Sequence, residues 1–209
     1  MKFHKYQLLL GMPSQLIVGD RGQDGQILST KLRKENLDFF GLNRLGLHSD
    51  NKLIYDYNKL SVSTIVSFFQ RAQIEKIYFF ASHSLPSAAR SIEKKDLQDP
   101  HFEIETLLVK ILDAISCITG SIKFIFANSA LRYGELNGEI NEGTNPQPNT
   151  LYGLHKIKCE TLISDFSKSY SNFSFLNAIL FNHTSLFQDQ AFLFPKIIMA
   201  IKRNNLKLE

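Results

Sequence analysis

The segment Ile17-Val18-Gly19-Asp20-Arg21-Gly22-Gln23-Asp24-Gly25-Gln26-Ile27-Leu28 constrains this chain more than any other. Three glycines at intervals of three stand where an apolar strand gives way to a helical pattern. Gly19 permits the tight turn, Gly22 lets the backbone approach a pyrophosphate without a Cβ, and Gly25 lets the helix pack closely on the strand. The free N–H groups and positive dipole end of that helix then face the phosphates. Glycines alone would serve any turn, but a strand before them and a helix after them predict a dinucleotide-binding loop.

The rest of the chain repeats the rhythm. Short apolar runs at Gln15–Val18, Leu37–Leu42, Lys52–Tyr55, Lys76–Ala81, Ile122–Ala127 and Phe175–Leu180 read as strands covered on both faces. Between them Gln26–Lys34, Ser61–Ala72, Glu103–Ile118 and Tyr152–Tyr170 carry apolar residues at helical spacing. The alternation predicts an α/β fold, a doubly wound parallel sheet with helices on both faces. Gly134–Thr150 is rich in Gly, Asn, Thr and Pro without a period and reads as a binding loop ahead of a helix.

A chain of 209 residues, 44% hydrophobic, can bury its own core; folding at this size removes roughly 70% of the unfolded surface from water. Cys117 and Cys159 share no close spacing and read as buried thiols of a reducing compartment. The charge of +4 comes from 24 basic and 20 acidic residues without a block of like charge, which gives no argument for nucleic acid as a partner. Lys2 and Lys5 precede an apolar run, Leu8–Leu10, too brief for a signal peptide, and no stretch approaches a membrane span, so the expected location is cytoplasmic. No spacing of Cys, His and carboxylates suits a metal.

An NAD-preferring site closes its second strand with an acid that binds the ribose hydroxyls. Here the strand exits through Asn43-Arg44. A guanidinium there pairs with a 2′-phosphate, which favours NADP with Arg44 as a cofactor residue. Farther on, Tyr152 and Lys156 stand four apart, on one helix face. An ammonium beside a phenol favours the phenolate and so eases proton exchange with a substrate. Ser129 follows the strand Ile122–Ala127 at its carboxyl end, where open parallel sheets bind ligands. Ser129, Tyr152 and Lys156 therefore form a candidate catalytic set for hydride transfer between a nicotinamide and a sugar carbinol.

With these residues in place the chain resembles the extended short-chain dehydrogenase/reductases of the NAD-dependent epimerase/dehydratase type, which have a Rossmann-type fold, and within them the GDP-mannose 4,6-dehydratases. Gly22-Gln23-Asp24-Gly25 is similar to that group's nucleotide loop and Gly41-Leu42-Asn43-Arg44 to its second-strand exit. Tyr133-Gly134, then Glu142, Thr144 and Pro148, match the approach to its catalytic tyrosine, and Leu180-Phe181-Asn182-His183 matches its Leu-Phe-Asn-His. The resemblance implies Gln23, Asp24 and Asp56 at the cofactor, with Asp56 facing the adenine or, read from its own surroundings, capping a turn. It implies Tyr152 as base at hexose C4, Lys156 as its partner and ribose contact, and Ser129 and Asn182 at a nucleotide-sugar, GDP-hexose favoured. It also implies residues 1–180 as the NADP-binding domain and 181–209 as the start of an incomplete substrate-binding region, since the chain stops at Lys207-Leu208-Glu209. A homodimer through the helix near Tyr152 is implied too, although Leu154, Ile157, Leu162 and Ile163 could equally pack inside the domain.

Three departures bear on function. Leu131 stands where the dehydratases carry the glutamate that removes the C5 proton, a contribution of about 10²–10⁴-fold; Glu135 is the nearest substitute. Thr184-Ser185-Leu186-Phe187-Gln188 replaces a run with two arginines expected near the diphosphate. Phe79, Phe80 and His83, in the run Tyr78–Ser84, replace small residues and are expected to narrow the space beside the nicotinamide. A nucleotide-sugar 4-reductase or 4-epimerase, or a catalytically impaired dinucleotide-binding subunit, therefore stand as alternatives to the 4,6-dehydratase.

Overall fold

Strand residues of this chain are apolar on both sides because helices cover both faces of the sheet they form. The computed structural model describes residues 14–49, 52–83, 100–135 and 138–203. Lys2, Lys5, Leu8–Leu10, Ser84 and Lys207–Glu209, named above, lie outside them. The elements are β1 (Ser14–Val18), α1 (Gln23–Lys34), β2 (Phe39–Asn43), β3 (Gly46–Ser49), β4 (Lys52–Asp56), α2 (Val62–Ala72), β5 (Ile74–Phe79), α3 (Pro100–Ser116), β6 (Ile122–Ser129), α4 (Leu151–Ser169), β7 (Phe173–Leu180) and α5 (Leu193–Arg203). Short 3-10 turns at Tyr57–Lys59 and Ala130–Tyr133 follow β4 and β6.

The sheet runs β4-β3-β2-β1-β5-β6-β7. β2, β1, β5, β6 and β7 pair in parallel, while β3 runs antiparallel between β2 and β4. This is the expected doubly wound Rossmann-like fold with one element the sequence reading lacked. β3 is four residues long and joins β2 through the tight Arg44-Leu45 turn, in which Leu45 N donates to Asn43 Oδ1 at 2.8 Å. A strand so short, with His and Ser in half its positions, has no apolar run to announce it. Because β3 reverses the chain and β4 reverses it again, β4 ends on the same edge as the parallel strands.

β1 is buried at every position, as a central strand covered on both faces must be. α2, α3 and α4 pack side by side over one face, and right-handed crossovers put α1 on the other. Under the three helices Phe79, Phe124 and Phe126 meet, with Phe79 stacked on Phe124 at 5.9 Å between centroids. Ile111, Ile115, Cys159 and Ile163 close over this layer. Phe79 thus belongs to the core and does not narrow the binding edge; alternation along β5 turns it away from that face, while Tyr78 and Phe80 share the other. Cys117, past the end of α3, is exposed, so only Cys159 is the buried thiol expected of both. Among the described residues no helix is long and apolar enough to cross a membrane.

α4 begins where Thr150 caps it, accepting from Gly153 N at 3.0 Å. Ile163 is buried in the core and Leu162 packs against it, while Leu154 stays exposed. The helix therefore divides its apolar residues between the interior and the surface. Past β7 the architecture changes: α5 buries none of its residues.

Candidate active site

Strands in parallel deliver their carboxyl ends to one edge, and this edge collects Gly19 after β1, Arg44 after β2, Asp56 at the end of β4, His83 after β5, Ser129 at the end of β6 and Asn182 after β7. Gly19 takes φ +90°, a conformation L side chains rarely adopt, and a Cβ there would lie 2.7 Å from Ala81 N. Its N–H donates to Leu42 O at 2.7 Å and so ties the turn to β2. Gly22 stands at the start of α1. A Cβ on Gly25 would be 2.5 Å from Asp20 Cα and in collision with Gly19 O, which shows the close helix approach expected of the third glycine. The turn leaves backbone N–H groups and bare glycine faces at the first turn of α1, a cradle that fits a diphosphate.

The second-strand exit is organised around Asp20. Its carboxylate accepts from Asn43 Nδ2 at 2.9 Å and meets His48 Nε2 of β3 at 3.1 Å. Burial would raise the Asp20 carboxyl, but the bonds from His48 and Asn43 more than offset this and hold it below its ordinary range. Gly41 leaves the room: a Cβ there would lie 2.5 Å from His48 Cε1. Arg44 is exposed in the hairpin turn beside this cluster. Asp56 caps the turn after β4, accepting from Asn58 N at 2.9 Å, so its own surroundings give it a local structural task.

Around the candidate catalytic residues the packing is tight. Ser129 Oγ accepts from Leu131 N at 3.2 Å, and its proton has no acceptor among the described residues. Asn128 donates to Glu160 Oε2 at 2.9 Å and to Asn177 Oδ1 at 3.0 Å; Asn177 donates back to Glu160 Oε1 at 2.8 Å. Arg132 meets the same carboxylate at 2.9 and 3.0 Å. The residues flanking Ser129 are thereby bound to α4, the helix that carries Tyr152 and Lys156. Sequence reasoning missed Glu160, whose only signal was its place four residues beyond Lys156 on the same helix face.

Lys156 is 2% exposed. Its ammonium donates to Ala127 O at 2.7 Å, sits 4.9 Å from the centre of the Phe126 ring and 5.6 Å from that of Tyr152. Among the described residues no carboxylate forms an ion pair with it. An ammonium has three protons to give, and a buried one is costly unless they find acceptors. The phenol of Tyr152, half-buried at the start of α4, makes no hydrogen bond among the described residues, so it is open to a ligand. Leu131 lies on the turn after Ser129, with its carbonyl where a Cβ on Gly153 would lie 2.5 Å away. Glu135, its candidate substitute, is exposed, as are Glu139 and Glu142.

A row of imidazoles also went unseen in the sequence because it joins three elements. His101 of α3 stacks on His155 of α4 at 4.5 Å and lies 6.1 Å from both His83 and Tyr152, centre to centre. Burial lowers His155 to a pKa of about 4, against the opposing bond from Glu105 at 3.1 Å, so it is neutral at neutral pH. Lys158 pairs with the same glutamate. Burial likewise pushes the Cys159 thiol up to about 12, leaving it inert. Among the described residues no group of three or more His, Cys, Asp or Glu has the geometry to hold a metal.

Past β7 the chain returns to the glycine turn. His183 meets Asp24 Oδ1 at 2.7 Å, and Gln23 Nε2 reaches His183 O at 3.5 Å. Asn182 is exposed between these contacts and the strand.

Sheet order, glycine turn and the residues gathered on the carboxyl edge define a Rossmann-type domain. The sequence profile of the NAD dependent epimerase/dehydratase family matches residues 15–209, and the chain belongs to that family. Solved structures of similar fold include a UDP-glucuronic acid 4-epimerase from Bacillus cereus in complex with UDP-glucuronic acid and NAD, with a TM-score of 0.74 and 19% identity over 91% of this chain and 63% of that one. A UDP-glucose 4-epimerase from Thermus thermophilus in complex with NAD gives 0.70 and 19%, over 93% and 64%. RMD from Pseudomonas aeruginosa complexed with NADPH gives 0.70 and 18%, over 94% and 64%. The chain thus spans less than two thirds of each of these three. No curated protein matches it by sequence.

Proposed function

We propose that this chain binds NADP at the Gly19–Gly25 turn and exchanges hydride with C4 of a nucleotide-linked hexose, GDP-hexose favoured, in the manner of GDP-mannose 4,6-dehydratases. The observation that carries this reading is Lys156: a buried ammonium whose one hydrogen-bond partner among the described residues is a carbonyl, beside a phenol that makes no hydrogen bond among those residues, at the carboxyl end of β6. Its remaining protons suit the hydroxyls of a ribose, and its charge favours the Tyr152 phenolate. Tyr152 would take the proton from the C4 hydroxyl as hydride leaves, and Ser129 would donate its unshared proton to the C4 oxygen and orient it. The dinucleotide supplies the hydride acceptor and donor. Arg44 would face the 2′-phosphate and Asn182 the nucleotide-sugar. Residues 1–180 form the dinucleotide-binding part and 181–209 begin the substrate-binding part. The exposed Leu154 of α4 would serve a homodimer, and the reducing cytoplasm is the compartment that suits free Cys117 and Cys159. Structures of this fold that hold NAD or NADPH and nucleotide-sugars support the ligand class.

Leu131 favours a second reading of the steps after oxidation at C4. The turn offers no carboxylate to remove a C5 proton, so a 4-reductase or a 4-epimerase, neither of which needs that base, accounts for the site without elimination. Incubating the protein with NADP⁺ and, in turn, GDP-mannose and UDP-glucose, and separately with NADPH and a nucleotide-linked 4-keto-hexose, separates these outcomes: a reductase consumes NADPH in proportion to the 4-ketone reduced, while a dehydratase or epimerase converts the C4 alcohol with no net change in NADP⁺. Tyr152→Phe should lower any such turnover by about 10²-fold or more. Equal turnover by the variant would overturn the catalytic assignment, and absence of turnover in the unaltered chain with dinucleotide still bound would mark a binding subunit.

A further inference from the structure

Asp24 poses a difficulty for a direct role at the dinucleotide. A carboxylate in the first turn of a helix is favourable to the helix dipole, but it repels a diphosphate placed at the same N-terminus. In the structure the carboxylate has another partner, 159 residues away: Asp24 Oδ1 accepts from His183 Nε2 at 2.7 Å. The other ring nitrogen of His183 lies 2.8 Å from Phe181 O. A carbonyl and a carboxylate can only accept, so the two contacts together are satisfied by the imidazolium form, and they favour its proton. Gln23, the neighbour of Asp24, adds a donor to His183 O at 3.5 Å.

Farther along the same segment, Phe187 lines a groove of about 500 Å³ together with Arg21, Gln26, Ser29 and Arg33. The stretch after β7 therefore touches the first turn of α1 through the His183 pair and the Gln23 amide, and Phe187 lies across the groove from the rest of that helix. No residue from 181 to 203 is fully buried, so these contacts, and not a core, set where the segment rests.

We propose that Asp24 and His183 are positioning residues: together they strap the 181–188 segment onto the glycine turn, so that Asn182 is held beside the dinucleotide loop and the binding of one ligand orders the site of the other. Gln23 and Asp24 then serve the dinucleotide through the segment they hold and not as phosphate ligands. The ligand coupling rests on the proposed function; the strap itself does not.

Hydrogen–deuterium exchange on the whole chain tests the strap, with the unaltered protein compared to Asp24→Asn, His183→Asn and the double variant. Each single change should speed exchange of amides 181–188 by about two- to fivefold, as loss of a part-exposed ion pair allows. The double variant should do no more than either single one, because both remove the same contact. Amides of β1, β5 and β6 should be unchanged. Unchanged exchange at 181–188, or effects that add in the double variant, would overturn the strap. So would a loss of about tenfold in NADP affinity for Asp24→Asn with 181–188 unaltered, since Asp24 would then serve the dinucleotide directly. If the unaltered chain binds no dinucleotide, the proposed function fails, and the exchange comparison still decides the strap.

Discussion

Across β1, β5 and β6 the core-facing side chains are closed off from solvent and locked by three phenylalanines, with α2, α3 and α4 lying over them. Past β7 the reverse holds. Leu193, Phe194, Ile197 and Ile198 of α5 stand exposed, and the segment before them meets α1 through one charged pair and one amide. The stability of the two regions has different sources. The first region holds the glycine turn in place through burial; the second is placed by polar contacts.

The contrast can be broken most directly by truncating one aromatic or aliphatic side chain in each region. Phe124→Ala should destabilise the protein by about 3–5 kcal/mol, whereas Ile197→Ala should stay within about 0.5 kcal/mol in urea unfolding. A large loss for Ile197→Ala would mean that α5 is covered in solution. Gly25→Ala comes next. Its methyl group would meet the backbone of Gly19 and Asp20, and forcing α1 away should cost about 1–3 kcal/mol and remove dinucleotide binding. Retained binding would mean that the turn is not the cofactor cradle.

Smaller effects arise from titration, and they run in opposite directions in the two regions. Asp20 is held below its ordinary range in the fold, so its contribution is complete above the unfolded carboxylate value and is lost as pH falls through the folded one. His183 is raised by its bond to the Phe181 carbonyl, with burial opposing and Asp24 adding. Its contribution is complete below the ordinary histidine value and is lost as pH rises through the raised one. The groups that face His183 are the carboxylate of Asp24 and amide of Gln23 from α1, and the Phe181 carbonyl of its own segment. Acidification should therefore loosen the Asn43–His48 edge, while alkaline conditions should free the 181–188 segment. Exchange measured as a function of pH and corrected for intrinsic rates checks both; the reverse order would remove the distinction.

The sequence made legible what local pattern encodes. The glycine turn, the apolar strands and the Tyr152–Lys156 spacing each declare themselves within a dozen residues, and α/β alternation comes from periodicity. Ends were less secure: α1 starts at Gln23 rather than Gln26, because Gly22 can start a helix directly, and β5 lies two residues before its expected place. Groups that depend on several elements meeting stayed hidden. Glu160 binds Asn128, Asn177 and Arg132 only after β6, β7 and α4 have packed, and the His83–His101–His155 row exists only once α3, α4 and the stretch after β5 meet. The Asp24–His183 pair stayed hidden for the same reason, since its two members stand 159 residues apart.

The measurement closest to the central claim is calorimetric titration of the purified protein with NADP and, separately, NAD. The account predicts that NADP binds at least about tenfold more tightly than NAD, and that Arg44→Ala removes most of that difference. Failure of both dinucleotides to bind would contradict the cofactor assignment, and equal binding would contradict the role given to Arg44.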